Sequence, residues 1–285
     1  MISERPVVVA NYHCQLGENP LWNAADGHIY WEDIDRGRLF RADHATLEHE
    51  CFHEGPVVGG FTFQADGSLL LFEQNRIARL DPHRGGRRVL VEGVDSDMVR
   101  FNDVIADPEG RVFAGTIGKT RESGGLYRVD RDGSVRCVWK GTQIANGMGF
   151  TADLRRFYWT CSTSGRIFIA DYDRERGELA NRRLFYAVPE SEGSPDGMCV
   201  DTTDCVWTAR WGGGSVLRFD PEAKLLGRVE LPVPKVSSVT FGGPELDTLY
   251  VTTAGGDGAR SVEGTLYRVK TSARGKLPFL SRIAI

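Results

Sequence analysis

Six copies of one pattern constrain this chain more than any other feature. Six apolar landmarks, Trp22, Phe63, Ala106, Phe150, Val200 and Phe241, are spaced 41, 43, 44, 50 and 41 residues apart. A period of roughly 40–50 residues is the signature of a propeller or a related repeat architecture. Each landmark reads as the start of an inner apolar strand, followed by a turn, a second strand and a third. The second strands include His28-Ile29-Tyr30-Trp31, Leu69-Leu70-Leu71-Phe72 and Phe157-Tyr158-Trp159-Thr160. The third strands include Arg38-Leu39-Phe40-Arg41, Gly125-Leu126-Tyr127-Arg128 and Thr265-Leu266-Tyr267-Arg268. Such short runs of β-branched and aromatic residues, bounded by Gly, Asp and Pro, are strand signals. The pairs Asp26-Gly27, Asp66-Gly67, Glu109-Gly110 and Asp132-Gly133 suit tight hairpins, because glycine accepts positive φ. No long apolar period of 3.6 residues is present, so no long helix is expected.

The predicted fold is all-β: one six-bladed β-propeller domain over residues 1–285, with a central metal site. Length alone would also allow two domains, but no linker, low-complexity tract or charge block divides the chain. A propeller must also close its ring. Pro6-Val7-Val8-Val9 and the apolar tail Leu277–Ile285 are expected to share one blade, which removes exposed strand edges.

Composition narrows the function. The net charge is −4, with signs interspersed, which lacks the basic footprint of nucleic-acid binding. No apolar run approaches the roughly 20 residues of a membrane span, and the opening Met1-Ile2-Ser3-Glu4-Arg5 lacks a signal-sequence pattern. The expected partner is a small molecule, not nucleic acid or membrane. The six cysteines contain no C-x-x-C pair; they read as reduced thiols of a cytoplasmic protein.

The chemistry lies at a constant offset from the landmarks. Four residues before each stand Glu18, Gly59, Asn102, Asn146, Asp196 and Ser237. A fixed offset in a repeat places these residues at equivalent points around one axis, and four of them carry oxygen donors. Carboxylate and amide oxygens suit Ca²⁺, Mg²⁺ or Mn²⁺, and carboxylates also accept Zn²⁺. One divalent cation is expected there, of unspecified identity. Taken singly, Asn146-Gly147 or Asp196-Gly197 reads as an ordinary turn, and Asn102 as a turn cap; the common register favours a site. Arg100 lies two residues before Asn102 and points the same way on an extended segment. It would hold a substrate hydroxyl or carboxylate, or pair with Asp103 or Glu122. Trp211 reads as blade packing rather than a sugar platform. Ser237 and Ser238 line the pocket or only leave room, as Gly59 and Gly60 would. No G-x-S-x-G elbow, phosphate loop or histidine metal spacing is present; a metal-dependent hydrolase needs no protein nucleophile.

The segments Gly17-Glu18-Asn19-Pro20-Leu21-Trp22, Arg100-Phe101-Asn102-Asp103, Asn146-Gly147-Met148-Gly149-Phe150, Pro195-Asp196-Gly197-Met198 and Phe241-Gly242-Gly243-Pro244 together resemble the SMP-30/gluconolactonase (regucalcin-like) family of sugar lactonases, in the same order from about residue 13 to about residue 270. The resemblance implies a six-bladed propeller with one cation at the centre of one face, bound by Glu18, Asn146 and Asp196. It also implies that Arg100 and Asn102 hold the substrate and that Asp196 is the general base. The chain departs from the family pattern at Glu32, where an apolar residue is common, and at Cys161, where Asp is common. Thr120 stands where animal members carry a substrate-contacting Glu, so Thr120 is the corresponding substrate-binding candidate. The expected reaction is hydrolysis of a small, sugar-derived lactone to the open hydroxy acid. The ion polarises the carbonyl, and Asp196 or hydroxide on the ion activates water. The rival readings are an organophosphate or ester hydrolase using the same ring, and a non-catalytic ligand-binding propeller with a structural cation.

Overall fold

A computed structural model describes residues 5–255 and 262–284. Its strands form six antiparallel sheets of four, each ordered from the axis outward. The inner strands are Gly17–Asn23, Gly60–Phe63, Met98–Ala106, Ala145–Phe150, Ser194–Val200 and Val236–Gly242, belonging to blades 1 to 6 in turn. The only helices among the described residues are two 3₁₀ turns, Ser162–Ser164 and Glu190–Glu192. No helix among them is long and apolar enough to cross a membrane.

The second strands read as continuous apolar runs because both of their faces are buried. Period-two alternation sends neighbouring side chains to opposite faces. In blade 1, Tyr30 joins the core shared with blade 2, whereas Trp31 joins the core shared with blade 6. In blade 4, Phe157 and Trp159 pack toward blade 3 and Tyr158 toward blade 5. Six such apolar clusters result, one at each blade interface. The anticipated hairpin glycines adopt positive φ: Gly27 73°, Gly67 84°, Gly110 89° and Gly133 83°.

Two expectations need correction. The landmarks lie at or next to the ends of the inner strands, not at their starts, so five of the six residues four positions earlier sit inside those strands, and Gly59 lies just before its own. Ring closure also differs. Val7–Asn11 pairs with Thr265–Lys270 and completes blade 6 alone. The tail joins no blade as a strand; Ile285 lies outside the described residues. From Arg274, whose carbonyl accepts from Thr202 N in blade 5, the tail crosses the lower face of the ring. Lys276 Nζ donates to Phe150 O at 2.7 Å in blade 4. Ser281 N donates to Phe63 O at 2.8 Å in blade 2, and Arg282 N to Gly110 O at 2.8 Å in blade 3. These bonds give the tail's backbone and Lys276 partners beneath the channel.

Candidate metal and substrate site

Five of the six inner strands break register at the ring position. The breaks fall between Glu18 and Leu21, Phe101 and Val104, Asn146 and Met148, Pro195 and Met198, and Val236 and Ser238. A bulge adds a residue to one strand, bends it and re-aims side chains, and is common beside active sites. The glycines that follow Asn146 and Asp196 serve this packing rather than turns. A Cβ on Gly147 would lie 2.5 Å from Asp196 O, and one on Gly197 2.1 Å from Ser238 Oγ. Gly59 likewise admits blade 3, since its Cβ would lie 1.9 Å from Phe101 O. Only glycine lets successive inner strands close this tightly around the axis.

The bulges gather the expected residues. Asn146 Nδ2 donates to Asp196 Oδ1 and, at 3.2 Å, to Ser162 Oγ. Ser162 Oγ donates to Pro195 O at 2.7 Å, clamping blades 4 and 5 together beside the pair. Glu18 is buried; its Oε2 accepts from Asn19 N at 3.1 Å. Asn102 donates from Nδ2 to Ala145 O at 2.9 Å and accepts from Arg100 Nη1 at 2.6 Å. Arg100 Nη1 also donates to Phe101 O at 2.9 Å. Ser237 ties blade 6 to blade 1 through Gly17 O at 2.5 Å, a structural role, while Ser238 lines the channel. Trp211 is half-buried under Lys235, 5.3 Å from the ring centre. Thr120 is exposed, on a turn where Ser123 Oγ accepts from its amide at 2.9 Å and Lys119 N donates to Asp97 O. None of its hydrogen bonds joins it to the Arg100–Asn102 pair.

Electrostatics marks the centre as short of positive charge. Burial, then Asp196 and Asp103, push the Glu18 carboxyl well above the usual range. Burial and then Asp103 do the same to Asp196, against the hydrogen bond from Asn146. Asp103 is pushed up to about 7 by burial, against the pull of Arg100. Crowded acids in a low dielectric resist ionisation unless a cation joins them. The residues present fit such an ion. Asn146 Oδ1 is buried without a hydrogen-bond partner, and the donors are all oxygens, as a hard divalent cation prefers. Among the described residues no three His, Cys, Asp or Glu side chains cluster as ligands by themselves; the set depends on the Asn146 amide.

Two buried acids near this centre were not singled out as site candidates by the sequence reading. Asp103 lines the channel cavity of about 130 Å³, which extends from Asn19 and Asp103 down to Lys276 and Phe279 of the tail. It shares the bulge of blade 3 with Asn102, and a bulge defeats the rule that only alternate residues face one way. Glu32, fully buried on the second strand of blade 1, is the register partner of Glu18. Its departure from apolar character was the available signal.

The sequence model of the SMP-30/Gluconolactonase/LRE-like region matches residues 16–255. This chain belongs to that family. Among family members it is 45% identical over 288 residues to the pentonolactonase XacC of Haloferax volcanii, covering 97% of this chain and 98% of that one. It is 34% identical to regucalcin of Danio rerio, over 84% of this chain and 83% of the relative. The solved regucalcin of Agrobacterium tumefaciens shares the propeller with a TM-score of 0.91 at 23% identity, over 100% of this chain and 98% of the other.

Proposed function

We propose that this protein hydrolyses a small sugar-derived lactone to its hydroxy acid, using one divalent cation held by Glu18, Asn146 and Asp196. The observation that carries this reading is the meeting of these three residues at one end of the channel, with Asn146 Oδ1 buried and unsatisfied. The 45% identity to a pentonolactonase over nearly the whole chain supports the substrate class and makes pentonolactones the first to assay.

A cation bound there supplies Lewis-acid polarisation of the lactone carbonyl and charge for the oxyanion that develops on it. Asp196 is the base that takes a proton from the attacking water; its link to Asn146 fixes the carboxylate's orientation. Arg100, partly exposed at the mouth and braced by Asn102, presents its remaining N–H donors to ring hydroxyls. Thr120 would act only from the rim. The six cysteines, unpaired in the structure, suit a reducing compartment such as the cytoplasm.

The test is a lactone panel assayed on chelated protein with Ca²⁺, Zn²⁺, Mn²⁺ or Mg²⁺ restored, beside Asp196→Ala. Hydrolysis is expected with at least one ion and should fall by about a hundredfold or more in the variant, the usual scale for a lost general base. Full activity in Asp196→Ala would remove that residue from the chemistry. Absence of hydrolysis with every ion would end the lactonase reading.

A further inference from the structure

Five carboxylates among the described residues are fully buried, and four of them follow one rule. Among the described residues Asp33, Glu73, Asp107 and Asp201 have no exposure, and each receives an arginine. Arg38 reaches Asp33 at 2.8 Å, Arg87 reaches Glu73 at 2.6 Å, Arg111 reaches Asp107 at 2.5 Å and Arg218 reaches Asp201 at 2.8 Å. Glu32 is the fifth, and neither of its oxygens has any hydrogen-bond partner. Burying a carboxylate without a bonded partner is strongly unfavourable, and Glu32 lacks the directly bonded counter-charge that the other four have.

The position of Glu32 indicates which charge. It stands opposite Glu18 in the antiparallel ladder. Such partners project from the same face of the sheet with Cβ atoms about 5 Å apart. Alternation along the strand turns Glu32 toward blade 2, as it does Tyr30. Arg100 and Asp103 of blade 3 and the adjacent Asp33 are the charges that act on it. Arg100 makes no hydrogen bond to it; its Nη1 is bonded to Phe101 O and Asn102 Oδ1. A second orphan, Asn146 Oδ1, belongs to the same centre.

We propose that Glu32 serves the cation site of this chain from beside it, adding a fourth negative charge to those of Glu18, Asp103 and Asp196 and strengthening the hold on a divalent ion ligated by Glu18, Asn146 and Asp196. The inference rests on the metal reading given under the proposed function. Four acids and one arginine leave a net −3 at the centre, which a divalent ion lowers to −1. Without Glu32 the same ion would bring the centre to neutrality, so its carboxylate increases the attraction for the ion while raising the cost of the empty site.

The experiment is calorimetric titration of chelated protein with Ca²⁺ and with Mn²⁺, for the native chain, Glu32→Gln and Glu32→Leu, with thermal melts of each with and without ion. Affinity is expected to fall about tenfold or more in both variants. The metal-free Leu variant is expected to melt above the metal-free native chain, because the unpaired carboxyl is gone. Ion affinity unchanged in the isosteric Gln variant overturns the proposal, even if the Leu variant melts higher. A native chain that binds neither ion overturns the metal reading itself. Affinity unchanged with an altered KM for lactone overturns the proposal in favour of a substrate contact.

Discussion

At the residue scale, the legible part of the site was the part set by register. Glu18, Asn102, Asn146 and Asp196 stand at one offset from repeated landmarks, and the structure brings Glu18, Asn146 and Asp196 within hydrogen-bonding or electrostatic reach of one another. Asp103 and Glu32 were not legible as site members. One is aimed by a bulge and the other by a cross-strand pairing, and neither can be read from spacing along the chain. Their presence predicts a pH signature for chelated protein. An acid whose folded pKa lies above its unfolded value stabilises the fold at low pH, and that contribution fades as pH climbs between the two values. For Asp103 the window runs from its ordinary 3.8 to about 7, and Glu18 and Asp196 shift the same way. Chelated protein should therefore lose stability from pH 4 to 7 relative to ion-loaded protein, in which these acids are ionised and matched. Melting curves with Ca²⁺ or with chelator at pH 5 and pH 8 should show a wider gap at pH 8. An equal gap at both would argue against acids sharing an ion.

At the element scale, strand identity was legible because both faces of a blade are buried and the apolar runs are unmistakable. Strand limits were less so: landmarks taken as beginnings proved to lie at inner-strand ends. The bulges supply the reason. Extra residues such as Gly147 and the Asn102-Asp103 pair extend five of the inner strands past the apolar stretch toward the mouth, where the sequence looks like a turn. Asn-Gly and Asp-Gly here answer to steric contact with the next blade. Gly147→Ala should accordingly destabilise the fold by about 1–3 kcal/mol, the usual range for overpacking. Its Cβ would press on Asp196 O at 2.5 Å and Met198 N at 2.7 Å. Denaturant unfolding would measure the loss. Because Asp196 is the atom group displaced, ion affinity should fall with it; a variant with native stability and native ion binding would refute this account of the glycine.

At the scale of the whole molecule, six similar units made the propeller legible, while the way its ends are used was not. Repetition says nothing about segments outside the repeat. Val7–Asn11 closes blade 6 by pairing with its third strand, so a chain lacking residues 1–11 should expose Thr265–Lys270 as an edge. Exposed edges recruit other chains. Lower melting temperature and concentration-dependent light scattering are the expected outcomes, and a monodisperse, equally stable truncation would contradict them. The tail under the ring has a different consequence, a kinetic one. Since Lys276–Phe279 floor the bore opposite the acid-rich end, reactant and product share a single doorway. The newly formed acid must back out past Arg100 before another ring can enter, so added product is expected to compete directly with arriving lactone.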